Sequence, residues 1–346
     1  MSKHELDLER LSDHVVTPEA TENERRVEVS LRPPTLADFV GQRDLVGHLQ
    51  VVLGSAKARH QSVDHLLFAG PPGLGKTSLA SIVASEMGSG FRVTSGPVLS
   101  RPGDLAALLT DLQDGDVLFI DELHRLSRAV EEVLYPAMED LRLDVMIGRG
   151  PSARSIRLDL PNFTLVGATT RTGLVAAPLS DRFGFIGQLD LYDVAELTII
   201  ATRSAGLLKV DLEPEAATII ASRSRGTPRI ANRLLRRVRD FASVNDHDRV
   251  DAAVAIAALA LFGVDEFGLD KIDRRILRLL CEQFASTPVG LTTLAHACGE
   301  EPFTIEDAYE PYLLRAGLMV RTPRGRLATE RAYEHLGIQT RQDGLF

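Results

Sequence analysis

The chain has 346 residues, 44% of them hydrophobic and 25% charged, ordinary proportions for a soluble protein with two or three separately cored domains. Its formal charge of −9 excludes broad electrostatic attraction to nucleic acid, so any DNA contact has to come from a local basic patch or through partners. There is no apolar run of membrane-spanning length and no signal-peptide core, and Cys281 and Cys298 make no disulfide framework; the expected location is cytoplasmic, without membrane contact.

Residues 1 to about 30 are polar and charge-rich and read as a mobile tail. Leu31-Arg32-Pro33-Pro34 opens the folded part, its prolines stiffening an extended segment. From Asp44 to about His60, Leu45, Leu49, Val52 and Leu53 fall on one helical face. His65-Leu66-Leu67-Phe68-Ala69 then has the short, unbroken apolar character of a buried parallel strand.

That strand runs into Gly70-Pro71-Pro72-Gly73-Leu74-Gly75-Lys76-Thr77, which fits the phosphate-loop pattern G-x-x-x-x-G-K-[ST], and helical spacing resumes from Ser78 to Ala84. Strand, glycine loop and helix let backbone N–H groups curl around phosphate oxygens, with the partial positive charge of a helix N-terminus behind them. Lys76 can then reach the β- and γ-phosphates of ATP, and the Thr77 hydroxyl can ligate Mg²⁺. Val117-Leu118-Phe119-Ile120 forms another apolar strand with Asp121 and Glu122 at its C-terminal edge, where ligands bind in open α/β sheets. Asp121 suits Mg²⁺, and Glu122 suits orienting or deprotonating the attacking water. Alone, the two acids read equally well as an acidic helix start; downstream of a phosphate loop they read as its catalytic complement.

Strand patterns at 65–69, 91–95, 117–121, 163–169 and 185–191 alternate with helical ones, which predicts an α/β fold with a parallel sheet covered on both faces. Between the third and fourth strands, two alternating runs flank Gly148-Arg149-Gly150-Pro151-Ser152-Ala153-Arg154, the pattern of a β-hairpin that is either a decorated edge or an arm for a partner. Thr169 and Thr170 end the fourth strand, where a hydroxyl can sense the γ-phosphate or simply close a β-branched strand. Arg182, in Leu179-Ser180-Asp181-Arg182-Phe183, reads locally as an ion-paired surface arginine.

After Tyr192 the pattern is helical, and 193–263 reads as a small helical domain after a large one at 31–192. The arginines at 233, 236, 237 and 239 read mostly as a solvated face, while Arg229, at a helix start, is best placed to reach a ligand. In 266–346, three helices precede a hairpin whose turn is Thr322-Pro323-Arg324-Gly325, the order of a winged helix. Arg321, Arg324 and Arg326 suit DNA phosphates, with a charged turn on a protein-binding wing as the alternative.

The phosphate loop, Asp121-Glu122, Thr169-Thr170-Arg171, Leu179 to Gly184 and Gly226-Thr227-Pro228-Arg229 together resemble AAA+ ATPases. Arg149 to Ile156, Gly226 to Arg239 and Arg321 to Arg326 are, more narrowly, similar to the RuvB family of Holliday-junction branch-migration motors, a resemblance running from about Leu31 to Ile338. It implies a P-loop ATPase domain, a helical lid and a DNA-binding winged helix. It also implies Leu31 and Arg32 beside the adenine, and Gly73, Gly75, Lys76, Thr77 and Ser78 around the phosphates. Glu139, Asp140 and Leu141 would line the nucleotide site or the neighbouring subunit's face. Thr169 or Thr170 would be the first sensor, Arg182 a finger reaching the next subunit's γ-phosphate, Tyr192 a nucleotide neighbour and Arg229 the second sensor. The implied assembly is a homohexamer on the duplex arms of a four-way DNA junction, joined to RuvA through the hairpin at 141–160, with RuvC resolving the junction. The chain departs from the family at Pro302, where the resemblance implies an arginine near DNA, so one phosphate contact is expected to be missing.

Overall fold

The structure is a computed structural model that describes residues 28–147, 154–285 and 287–339. The expected tail lies outside the described residues up to residue 27, and so does the hairpin tip at 148–153. Val29–Tyr192 makes one compact unit; Asp193 onward, with Glu28, makes another. Among the described residues no helix is long and apolar enough to cross a membrane.

In the first unit, unbroken apolar runs become central strands. β1 (Leu66–Ala69) and β6 (Phe163–Thr169) are buried at every position, and β3 (Asp116–Asp121) at all but its last. With β2 (Phe91–Ser95) and β7 (Phe185–Gln188) they form a parallel sheet in the order β2-β3-β6-β1-β7. Strand β6 therefore lies between β1 and β3, and its end, Thr169, is the register partner of Ala69. Strand β7 is shorter than its apolar pattern, because after Gln188 the chain turns to pass over Gly70. Helices α1 (Arg43–Arg59), α2 (Lys76–Met87), α3 (Pro102–Thr110), α4 (Arg128–Asp140) and the short α5 (Ala177–Ser180) belong to the same unit. Leu105 and Leu109 of α3 and Val130 and Leu134 of α4 close with Leu118, Ile120 and Leu165 of the sheet into one core, each such side chain contributing about 1.5–3 kcal/mol by leaving water. The expected hairpin forms as a separate antiparallel ribbon, β4 (Arg142–Ile147) with β5 (Arg154–Asp159), pairing Leu143 with Leu158.

The second unit begins with α6 (Val194–Leu207). Its start is fixed by a reciprocal cap: the Glu196 N–H donates to Asp193 Oδ1 at 2.7 Å, and the Asp193 N–H donates to Glu196 Oε2 at 3.0 Å. Helices α7 (Pro214–Ser222), α8 (Pro228–Val244) and α9 (Ala252–Leu261) follow, closing around Ile220, Leu234, Leu235, Val238, Ala255 and Leu259. The arginines of α8 correct the sequence reading: Arg233 is 1% exposed and Arg236 7%, because α8 packs against α6, α7 and α9, which cover its polar stripe as well as its apolar one.

The winged-helix part has its own core, from Leu269 to Tyr333. It is built from α10 (Lys271–Arg278), which widens into a π-type turn through Gln283, α11 (Leu291–Cys298), and a helical run comprising α12 (Pro302–Thr304), Ile305–Tyr309 and α13 (Glu310–Arg315). The hairpin β8 (Met319–Thr322) with β9 (Gly325–Ala328) and α14 (Glu330–Leu336) complete it. A backbone bridge from Arg326 to Val289 pins the wing so closely that a Cβ on Gly325 would sit 2.4 Å from the Val289 carbonyl oxygen. Arg225 fastens helical domain and winged helix together. Its guanidinium bonds the buried Asp273, donates to Gly268 O at 2.8 Å and lies 4.8 Å from the Tyr312 ring centre. Burial, opposed by that guanidinium, pushes the Asp273 carboxyl up to about 7.

Candidate functional site

The glycine loop joins β1 to α2 at the C-terminal edge of the sheet. Gly70, Gly73 and Gly75 have φ of 140°, 82° and 107°, conformations that L side chains seldom adopt. Gly70 also passes beneath the chain after β7, where a Cβ would come within 2.5 Å of Leu189 O. Its N–H donates to Thr169 O at 3.1 Å, which ties the first loop residue to the end of β6. Phe39, which the sequence reading did not single out, packs over Gly75, where a Cβ would come within 3.1 Å of its ring; its signal lay in the apolar residues of the extended entry segment. The Tyr192 hydroxyl donates to Leu74 O at 3.0 Å, so Tyr192, 6% exposed, braces the same loop.

Lys76 begins α2 and is 7% exposed; its Nζ curls back to donate to Gly70 O at 2.7 Å and Pro71 O at 2.9 Å. Helix α2 has no side-chain cap and no acidic residue in its first turn. A first turn without cap or acidic side chain, a buried lysine and left-handed glycines fit a bound polyphosphate. Thr77 and Ser78 are half-buried in that first turn. The Mg²⁺ donors are sparse: among the described residues no group of three or more His, Cys, Asp or Glu side chains could hold a metal. One hydroxyl (Thr77) and one carboxylate (Asp121) fit an ion that completes its shell with phosphate oxygens and water.

Asp121 is half-buried at the end of β3, and its Oδ1 accepts the Glu122 N–H at 2.9 Å. Glu122 turns the chain with φ 51°, an uncommon conformation outside glycine. A residue that the sequence reading passed over, His124, follows: its Nε2 is 3.3 Å from Glu122 Oε2 and its Nδ1 3.0 Å from Thr169 Oγ1. Thr169 is fully buried and also accepts the Arg171 N–H at 3.0 Å, whereas Thr170 is half-buried.

Arg182 lies against α4, bonding Pro178 O and Glu139 Oε2, with its guanidinium over the Tyr135 ring. Glu139 and Asp140 are exposed at the end of α4, and Leu141 caps that helix at φ 53°. Leu31 is 4% exposed and Arg32 half-buried in the entry segment. In the other unit Arg229 is the second residue of α8, with its Nε 3.6 Å from Glu28 Oε1.

The wing separates the three arginines that sequence grouped together. Arg321 is exposed and paired with Glu306 at 3.0 Å and Glu310 at 3.5 Å, and Arg324 is exposed in the turn. The expectation for Arg326 is corrected. It is 7% exposed and donates to Glu310 Oε2 from Nε at 3.1 Å and Nη2 at 2.8 Å; as the cross-strand partner of Arg321 it shares that carboxylate, with Arg326 buried and Arg321 exposed. Pro302 opens α12, beside Phe303, which is 63% exposed.

Residues 31–189 match the P-loop domain of the RuvB Holliday junction DNA helicase, 192–265 the RuvB AAA lid domain, and 266–337 the RuvB C-terminal winged-helix domain. The Holliday junction branch migration complex subunit RuvB of Chloroflexus aggregans is 56% identical over 94% of this chain and 93% of its own length. That of Oleidesulfovibrio alaskensis is 60% identical over 90% of this chain and 97% of its own. The solved Thermotoga maritima RuvB Holliday junction branch migration motor superposes with a TM-score of 0.81 at 50% identity, covering 90% of this chain and 99% of that one.

Proposed function

The chain belongs to the RuvB family of Holliday junction DNA helicases, and from that premise we propose that it is the ATP-driven motor that moves four-way DNA junctions in homologous recombination and repair. The observation that carries the proposal is the convergence of the glycine loop with Lys76, the Asp121-Glu122 edge and the end of β6 at one end of one sheet. A P-loop ATPase domain binds nucleotide; Mg²⁺, when bound, supplies charge neutralisation for the phosphates.

Gly73, Gly75, Lys76, Thr77 and Ser78 hold the phosphates, Thr77 and Asp121 hold the metal, and Leu31, Arg32 and Tyr192 flank the nucleoside. Glu122 orients and deprotonates the attacking water. Thr170, whose side chain is accessible, takes the first-sensor role, since the Thr169 hydroxyl is already engaged by His124 and the Arg171 N–H. Arg182, paired with Glu139, belongs with Glu139, Asp140 and Leu141 to the subunit face from which a finger reaches the next subunit's γ-phosphate, and Arg229 of the helical domain takes the second-sensor role. Hydrolysis then requires assembly, as a cytoplasmic homohexamer around a duplex arm.

Arg321 and Arg324 contact DNA phosphates. The hairpin at 141–160 is the arm for RuvA: Ile156 is 44% and Leu158 37% exposed on it, apolar surface suited to a protein partner. RuvC acts on the same junction afterwards.

The test is dissociation of a synthetic four-way junction with ATP, Mg²⁺ and the cognate RuvA-type protein. ATP-dependent conversion to two duplexes, lost in Glu122→Gln, is the expected result. ATP turnover without conversion would replace the motor with a clamp-loader-like switch.

A further inference from the structure

His124 connects two parts of the ATPase site that the sequence left separate. It sits in the tight turn Leu123–Arg125, where the Arg125 N–H closes onto Glu122 O at 2.9 Å and Leu123 is fully buried. The turn folds the imidazole back beneath the strand edge, and its side chain is 8% exposed against 33% for Glu122.

The groups on either side of the ring point to one tautomer. Thr169 is fully buried and its oxygen already accepts the Arg171 N–H, so its own proton needs an acceptor, and His124 Nδ1 stands 3.0 Å away. With Nδ1 accepting, the ring proton is on Nε2, which faces Glu122 Oε2 at 3.3 Å. One carboxylate oxygen is thereby held, and the other remains for a water proton. Thr169 in turn is bonded through its carbonyl to Gly70 N and is followed by Thr170. A continuous path runs from glycine loop to strand end to imidazole to carboxylate.

We propose that His124 is the positioning residue that couples the orientation of the Glu122 carboxylate to the end of β6. The proposal rests on the reading of Glu122 as the residue that activates water. In that role a shift at Thr169-Thr170 reaches Glu122 through the Thr169 hydroxyl and the imidazole. Water activation then depends on what the strand end has bound.

The experiment has two arms. In nucleotide-free full-length protein, ¹⁵N shifts of the His124 ring are expected to show Nε2 protonated and Nδ1 bare, with Thr169→Val moving the Nδ1 signal and Glu122→Gln the Nε2 signal. A bare Nε2, or signals indifferent to both substitutions, would overturn the proposal without reference to activity. In DNA-stimulated ATP turnover, His124→Leu is expected to lower kcat about 10–100-fold with KM for ATP unchanged, and His124→Gln, whose amide nitrogen can replace Nε2 at Glu122, to recover most of it. A space-filling role predicts that leucine does at least as well as glutamine, and that result would also overturn the proposal. Turnover lost in Glu122→Gln but normal in His124→Leu removes this inference alone. Normal turnover in Glu122→Gln removes the underlying assignment of Glu122, and the inference with it.

Discussion

Arg182 Nη2 lies 3.1 Å from Glu139 Oε2, and the same guanidinium sits 4.6 Å from the centre of the Tyr135 ring. The arginine proposed to act on a neighbouring subunit is thus docked on helix α4 of its own. Glu139 is 55% exposed at the side chain, so the pair is screened by water and holds the arginine only weakly. The Pro178 carbonyl and the Tyr135 ring contribute the rest of the docking, so the finger is oriented by its own subunit.

Arg182→Ala is expected to keep ATP binding and to lose turnover by about 10³-fold or more. Added in small amounts to unmodified protein, it should depress the rate more than dilution does, because in the proposed ring one defective contact poisons its neighbours. Nucleotide binding by calorimetry and steady-state ATPase assays on mixtures check both; normal turnover would rule out action in trans.

Lys76→Ala is expected to abolish nucleotide binding rather than merely slow hydrolysis. The Lys76 ammonium is buried against the loop carbonyls of Gly70 and Pro71, so its removal takes away both the phosphate-facing charge and a brace of the loop. Loss of nucleotide-dependent gain in Tm is the readout.

On the wing, exposed and buried arginines should behave oppositely. Arg321→Ala with Arg324→Ala should weaken duplex binding and lower the slope of log affinity against log salt by about 2. Arg326→Ala should instead cost about 3–5 kcal/mol of stability, because Glu310, 2% exposed, loses its buried partner. Binding isotherms at several salt concentrations and chemical denaturation separate the two effects.

His65 gives a pH signature. Its Nδ1 accepts the Leu165 N–H at 2.9 Å and its Nε2 contacts Met138 O at 3.1 Å, an arrangement that requires the neutral ring. Burial lowers its pKa below the ordinary 6.5, opposed by Met138 O and the Asp64 charge. A depressed folded-state value means that its contribution to stability is fully present above 6.5 and is lost as pH falls through the folded value. Tm measured from about pH 8 to about pH 5 should therefore fall, and His65→Gln should flatten that slope.

Ile156→Ser with Leu158→Ser should leave ATP turnover and DNA binding intact and remove stimulation by the RuvA-type partner. The two residues are exposed on the ribbon, away from the glycine loop in sequence and outside the main sheet. Retained stimulation would shift the docking site elsewhere.

Much of this architecture was legible along the chain. The largely apolar runs at 66–69, 117–120 and 163–168 are local signals, and they became strands because a strand buried on both faces has to be apolar almost throughout. The glycine loop was legible for a similar reason, since left-handed φ at Gly73 and Gly75 is a demand that one residue type meets readily. The capping pair Asp193 and Glu196 likewise acts over three residues.

What the sequence by itself determined, then, was what acts over short distances: the alternation of strand and helix, the phosphate loop, the acidic strand end and the hairpin turns. Only the tertiary structure decided that β6 lies between β1 and β3, that His124 joins Glu122 to Thr169 forty-five positions along the chain, and that Arg326 is buried on Glu310 while its cross-strand partner Arg321 stays exposed. Those outcomes depend on sheet order, strand face and burial, and residues far apart in the chain set them jointly. An arginine or histidine has the same local signature whether it ends in solvent, in an ion pair or beside a catalytic carboxylate; the packing around it selects which.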